Sequence, residues 1–529
     1  MKNENRSNKQ LYKGAFALVT AGLVSKVISA FYRVPLQNLT GDIGFYIYQQ
    51  IYPILGIAFM LALYGFPSAI SGYLAERGRY KDKHVYPAFF SAMFLFSVLL
   101  FLLLYLFSPL LAEWMGDKEL AASIRHTAWV FLFVPFVALW RGIAQSEQMM
   151  ESIAYSQMIE QLIRAFVIIC TAILIYNRSM DVYDISFGAM IASVLALSAS
   201  SLFMYAYRKQ KKKKIKSNIS FVPDVSLITL MGKIIGAGIV ISLNHMLLLL
   251  LQLADAFTIV QGLMDYGQTL TASTATKGIF DRGQPLLQLV TVVGSSFAMA
   301  LVPQVSRTSW QLHKDETIDK VRMTLKYCVL LSVGATIGLI VLFPEINQLL
   351  FQNQAGTASL RLLSLSLLFT CLIITVASTL QSFGYMKWTA IILFVGLWIK
   401  VLLNHLFIPQ MGITGGAVAT VVTVFLIFIC NFSFLKYLLK GERLLVLPWL
   451  KLIAAGGLMA IIILAVKQLI TLFTTLEGRF SLLCFVLFSV IAGLFVYLFL
   501  IVKWKVITNQ ELAVLPIPER WKKGMERKQ

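Results

Sequence analysis

Gly22, Lys26, Ser29 and Arg33 recur at steps of four, three and four inside the run Gly22–Pro35, which reads GLVSKVISAFYRVP. At about 100° per residue they fall on one face of a helix. The helix is apolar enough for a bilayer, yet it carries two cations. A charge at bilayer depth is costly unless it faces water, a partner or a bound anion. Two uses are open to Arg33: snorkelling from the outer end of the helix, or lining a cavity. Lys26 lies mid-helix, in line with Gly22 and Ser29, and its cost there favours a cavity. The chemistry open to such a pair is the binding of an anion.

Three further constellations share this property. Asp281, Gln284, Gln288, Thr291 and Ser295 lie at steps of three, four, three and four, with Arg282 beside them. A neighbour pair of Asp281 and Arg282 at a helix end accounts for the first residues. It does not account for the stripe below, because lipid-facing positions are apolar. His245, Gln252 and Asp255 share another helix face, and His245 reads either as a packed, hydrogen-bonded side chain or as a proton carrier. Lys400 and Asn404 stand one turn apart, followed by His405, and together with Thr420 they are spaced to form an ion or proton site. A lysine there repels Na⁺, so sodium coupling is not predicted. Glu160 and Arg164 form an i,i+4 pair in the favourable order and read as a structural bridge, with Arg141 as a third member.

These residues need a membrane-spanning scaffold. The 529-residue chain is 58% hydrophobic and only 13% charged, with a net charge of +21 and a mean hydropathy of +0.76. Soluble domains carry roughly a quarter charged residues, so a polytopic, all-α membrane protein is the class that fits. The positive charge sits in short loops between apolar spans and does not point to nucleic acid. Five cysteines, at 170, 328, 371, 430 and 484, lie inside apolar spans without a CxxC, and neither a disulfide framework nor a metal site is expected. The N-terminal segment MKNENRSNKQLYKG is basic and reads as leading into a retained first span.

About fourteen spans are expected, at 13–35, 46–75, 85–112, 121–145, 153–176, 183–207, 226–252, 270–303, 320–344, 359–383, 387–408, 413–438, 449–475 and 480–503. Within the region 253–281, with Asp255, Asp265, Lys277 and TLTASTAT, a partly ordered segment is expected to separate the seventh and eighth spans. Basic loops at 76–84, 208–224, 304–319 and 439–448 alternate with neutral or acidic ones at 36–45, 113–120, 345–357 and 409–412. This alternation places both termini in the cytoplasm. The lysine-rich loop divides the chain into an N-lobe of six spans (1–207), a basic cytoplasmic linker (208–225), a C-lobe of six (226–438), two added helices (449–503) and a cytoplasmic tail (504–529). Gln145-Ser146 then Ala154 are echoed by Gln381-Ser382 then Ala390, and GAMIAS at Gly188–Ser193 by GGAVAT at Gly415–Thr420. The order of these echoes suggests a six-plus-six duplication. Pro53, Pro67, Pro285 and Pro303 mark the second and eighth spans as bent.

No phosphate-binding GxxxxGK[ST], HExxH or GxSxG occurs, and the loops are too short for a catalytic domain. The chain is expected to be neither an enzyme nor dependent on a cofactor. SKVISAFYRVPL (Ser25–Leu36), YQQIYPIL (Tyr48–Leu55), GFPSAIS (Gly65–Ser71), RGIAQS (Arg141–Ser146), SQMIEQLIR (Ser156–Arg164), DRGQPLLQL (Asp281–Leu289), LVPQVSR (Leu301–Arg307) and GITGGAVAT (Gly412–Thr420) together resemble the multidrug/oligosaccharidyl-lipid/polysaccharide exporter superfamily. Within it, the chain is similar to the polysaccharide-biosynthesis and stage V sporulation protein B group, relatives of the MurJ lipid II flippases. The resemblance implies two six-helix lobes around a V-shaped central cavity, alternating access, and a groove from the two added helices for a lipid tail. It also implies cavity cations on the first and eighth helices, which fall on Lys26, Arg33 and Arg282. Lysine stands at 26 where arginine is common in the lipid II flippases, and the second helix, Ile51–Ala75, has no cavity arginine.

The implied function is a flippase in a bacterial plasma membrane, moving an anionic polyprenyl-diphosphate-linked saccharide to the outer leaflet. Its partners would be membrane lipids and enzymes of cell-envelope synthesis. Ser29, Lys26, Arg33, Asp281, Arg282, Gln284 and Gln288 are the expected substrate contacts. His245, Asp255, Lys400, Asn404 and Thr420 are the expected coupling-ion or proton group. A cation-coupled drug antiporter is the alternative, and it needs acidic cavity residues, for which only Asp255 and Asp281 are available. A non-transporting scaffold for envelope assembly is the third reading.

Overall fold

The computed structural model describes residues 20–76, 85–211, 227–301, 314–473 and 478–507. The N-terminal segment, most of the basic loops used for orientation, Pro303, and the tail beyond 507 lie outside the described residues, as does the side chain of Ser295. Every regular element among the described residues is a helix. Among the described residues, twelve helical stretches are long and apolar enough to cross a membrane. The differences from the sequence-derived spans lie at helix breaks.

The first break is Gly41. Helix α1 (20–31) runs through Tyr32 into α2 (Arg33–Met60), so that Thr20–Ala75 forms one helical stretch. At Gly41 the backbone leaves helical geometry, with φ 71° and ψ −172°. Glycine enters this region without the Cβ clash that other residues meet. The expected first and second spans therefore meet at Gly41, and α2 carries the end of one and the start of the next. A π-helical turn, Leu61–Gly65, separates α2 from α3 (Phe66–Glu76). It lies just before Pro67, which has no N–H to bond the carbonyl four residues back.

The second break corrects the seventh span. In place of one helix at 226–252 there are two, α10 (Leu227–His245) and α11 (Leu247–Asp265), separated at Met246. The Asn244 side chain donates to the Val240 carbonyl at 2.8 Å and to the Met386 carbonyl at 3.3 Å, a local bond that competes with the backbone ladder. Residues 253–281 are helical apart from the short connection at 266–269: α11 continues to Asp265, and α12 (Leu270–Asp281) starts with Thr269 as its cap, the hydroxyl accepting from the Ala272 N–H. The third break splits the eighth span at Arg282, where α13 (Gly283–Leu301) begins. Pro285 sits in the first turn of α13, where its missing N–H is no loss.

The remaining helices are α4 (Val85–Leu106), α5 (Ser108–Trp114), α6 (Leu120–Phe131), α7 (Val134–Ser146), α8 (Met150–Tyr176), α9 (Ile185–Lys211), α14 (Lys314–Phe351), α15 (Thr357–Ser364), α16 (Ser366–Ser382), α17 (Met386–Met411), α18 (Ile413–Leu438), α19 (Trp449–Phe473) and α20 (Arg479–Lys503). Contacts group the chain into two compact units. One holds Met1–Val292 with Met386–Thr423, and the other Val293–Tyr385 with Val424–Gln529. In the first unit α17 packs along α11, α12 along α2, and α10 against α3 and α4. Its core is built from apolar faces of α2, α4, α6, α7, α9 and α11, including Phe45, Tyr46, Ile51, Phe89, Val137 and Val260.

The first of the sequence echoes has like helix ends. After α7 the Met149 N–H donates to the Ala144 carbonyl at 2.8 Å, and after α16 the Tyr385 N–H donates to the Leu380 carbonyl at 2.9 Å. Ser146 and Ser382 donate to the carbonyls of Ile143 and Thr379, each three residues back.

Candidate functional site

Arg33 stands where α1 passes into α2, and its guanidinium lies over the Tyr52 ring, 4.0 Å from the centroid. It is fully buried. A snorkelling arginine would expose its head, so the snorkelling alternative is excluded. Ser29, one turn earlier, accepts from Nη2 at 3.5 Å, a long contact. Tyr32 and Tyr48 close the same side, their hydroxyls 2.6 Å apart. The guanidinium atoms Nε and Nη1 are buried without a hydrogen-bond partner.

Lys26, two turns before Arg33, is exposed, as is His245 at the end of α10. The two lie close enough to act on each other through charge. His245 stacks on Tyr64 of the π-helical turn, with ring centroids 4.3 Å apart and planes 17° off parallel. Among the described residues neither Lys26 nor Arg33 joins an ion pair.

The other buried cations of the first unit each face a carboxylate. Lys277 donates to both oxygens of Asp281 at 2.6 Å. Arg282 donates to Asp42 Oδ1 through Nε at 3.0 Å and Nη2 at 2.5 Å, and Gln37 donates to the same oxygen at 2.9 Å. The expected Asp281–Arg282 pair is therefore replaced by two others. The Asp42 contact depends on Gly278: a Cβ there would stand 2.1 Å from the Asp42 carbonyl oxygen. Arg141 and Arg164 share Glu160, at 2.8 and 2.6 Å on separate oxygens, and Arg164 also covers Phe59. The polar stripe of α13 is partly consumed as well. Gln284 accepts from Gln252 at 2.9 Å and Thr291 bonds its own helix, while Gln288 is half-buried.

Asp255, Lys400, Asn404 and Thr420 come together in a separate buried cluster. Lys400 Nζ lies 3.0 Å from Asp255 Oδ1, donates to the Gly416 carbonyl at 3.3 Å, and donates to the Thr420 hydroxyl. Asn404 donates to Asp255 Oδ1 at 2.9 Å and to Thr258 at 2.7 Å. His245, grouped with them in the sequence, lies instead with Lys26, because the break at Met246 separates it from Asp255.

Asp42, Lys277, Tyr52 and Thr258 were not among the expected site residues. Lys277 and Asp281 stand four apart on one helix, a spacing visible in the sequence. Asp42 left no such signal, since its partner is 240 residues away.

Magnitudes separate the two kinds of cation. Burial of an ion carries an effective penalty of several kcal/mol, which a well-bonded partner offsets. A desolvated cation–π contact returns only about 2 kcal/mol. Tyr52 therefore leaves Arg33 under-compensated, and an anion is the group that would complete it.

This helical architecture, with cations inside its spans, is that of the multidrug/oligosaccharidyl-lipid/polysaccharide exporter superfamily. A solved structure titled "Lipid II flippase MurJ, inward closed conformation" superimposes with a TM-score of 0.67 over 91% of this chain and 97% of that one, at 16% identity. The chain matches the polysaccharide biosynthesis protein family over residues 11–309, and it belongs to that family. A Bacillus subtilis (strain 168) relative, the "Uncharacterized membrane protein YabM", is 35% identical over 98% of this chain and 97% of its own length. The "Lipid II flippase MurJ" of the same strain is 21% identical over 93% and 95%. The protein is a multi-pass membrane protein whose relatives include flippases.

Proposed function

We propose that the protein is a flippase that carries a polyprenyl-diphosphate-linked saccharide of the cell envelope from the inner to the outer leaflet. The observation that carries this reading is Arg33, a buried guanidinium with two unpartnered nitrogens and no carboxylate bound to it. A diphosphate supplies the missing acceptors in the geometry a guanidinium prefers. Lys26, accessible two turns away, meets the second charge of the headgroup. Arg282 is held by Asp42 and joins the headgroup only when that pair opens, which makes the pair a latch of alternating access. The prenyl tail stays in lipid while the saccharide crosses. An inside-negative membrane potential favours outward movement of the anion. Both termini lie on the cytoplasmic side, where the basic loops keep them.

The flippase named among the relatives supports this reading. The drug-antiporter alternative draws no support from the acids it needs, since Asp255 is bound by Lys400 and Asp281 by Lys277.

The test is flipping in proteoliposomes loaded with a fluorescent polyprenyl-diphosphate saccharide. Arg33→Gln should slow transport about 100-fold, the equivalent of about 3 kcal/mol of charge-assisted hydrogen bonding, and Lys26→Gln should slow it less. Flipping by Arg33→Gln at the wild-type rate would overturn the assignment.

A further inference from the structure

The cluster around Lys400 has the form of a cation site whose cation is part of the chain. A lysine ammonium carries three donors, and Lys400 has three acceptors of three kinds: the Asp255 carboxylate on α11, and the Gly416 carbonyl and Thr420 hydroxyl on α18. Intramembrane lysines ordinarily reach for water, but Lys400 is fully buried, as is Asn404, and Asp255 and Thr420 are nearly so. Another oxygen, Asn404 Oδ1, is buried in the same cluster without a hydrogen-bond partner.

We propose that the Lys400 ammonium is a tethered surrogate for a bound alkali cation, and that removing it uncovers a site for free Na⁺ or K⁺. Carboxylate, hydroxyl, carbonyl and amide oxygens are hard donors of the kind that hold hard cations. The cluster's single carboxylate balances one positive charge, so a divalent ion would leave a buried surplus. The tether fixes the consequence for the wild-type protein. A covalently held cation cannot exchange with solution, so Asp255 stays neutralised whatever the salt, and this cluster needs no alkali ion to be complete. The inference stands apart from the headgroup site, because neither Lys26 nor Arg33 takes part.

The experiment is thermal unfolding of the purified full-length protein in detergent, at constant ionic strength, with choline replaced stepwise by Na⁺ or K⁺. The wild type should melt at the same temperature in all three salts. Lys400→Ala should melt lower in choline and regain stability with Na⁺ or K⁺ along a saturating curve. The double variant Lys400→Ala/Asp255→Asn, with no charge left to balance, should lose that saturable response. Lys400→Gln removes the charge with a smaller change in volume and should show the same gain of salt dependence if the alanine variant folds poorly. Two results would overturn the proposal. One is a Lys400→Ala or Lys400→Gln protein whose melting ignores both ions. The other is a wild-type protein that Na⁺ or K⁺ stabilises saturably and that loses the effect in Asp255→Asn.

Discussion

Lys400 and Arg33 are both fully buried cations in the same compact unit, and their surroundings are opposite. Lys400 has an acceptor for each of its three donors, and one of them is a carboxylate. Arg33 has an aromatic ring, a long contact to the Ser29 hydroxyl, the Tyr32 hydroxyl close by, two nitrogens without a hydrogen-bond partner, and no carboxylate bound to it. The first arrangement is complete and has no need of a ligand. The second is stable only because packing over-determines it, and a ligand would lower its energy. Charge inside a membrane span is thus not by itself a sign of a binding site. What marks the site is charge that the chain has left unmatched.

Three experiments sharpen or break this contrast. The largest effect is expected where a matched cluster is broken. Glu160→Gln leaves Arg141 and Arg164 buried without their shared carboxylate and should cost about 3–5 kcal/mol of unfolding free energy, read as a fall in melting temperature in detergent. A melting temperature close to wild type would show that matched cations are not what stabilises this unit. Next is the pair on which Arg282 depends. A double-mutant cycle of Asp42→Asn with Arg282→Gln should give a stabilising coupling of about 1–3 kcal/mol. A coupling near zero would return Arg282 to the unmatched cations beside Arg33. The smallest effect is expected at the aromatic support. Tyr52→Leu keeps the burial of Arg33 and removes the ring beneath it. Transport in proteoliposomes should fall about tenfold, corresponding to a cation–π contact of about 1–2 kcal/mol. Unchanged transport would leave Tyr52 as packing alone.

The stripes and the class of fold could be read from the sequence because they depend on local period and composition. Ser29 and Arg33 do come together, and Lys400, Asn404 and Thr420 do gather around Asp255 and Gly416. The counter-charges were harder. Arg282 read as a free cavity cation because Asp42 is remote in sequence and comes near only through the Gly41 break and the close approach at Gly278. Snorkelling stayed open for Arg33 because its place near a span end was visible while Tyr52 beneath it was not. Continuous hydropathy also hid the breaks at Met246 and Arg282: a window that averages 18 or so residues cannot register one side chain, such as Asn244, bonding back onto its own helix.

The central claim is that Arg33 is the unmatched cation that holds the diphosphate. Its most direct test is titration of the purified protein with a polyprenyl diphosphate that carries no sugar, followed by thermal unfolding. The wild-type melting temperature should rise saturably with the lipid, and the shift should vanish in Arg33→Gln, while the ligand-free melting temperature of Arg33→Gln stays equal to or above wild type because a buried, unpaired charge has been removed. An Arg33→Gln protein that is stabilised by the lipid as strongly as the wild type would contradict the account.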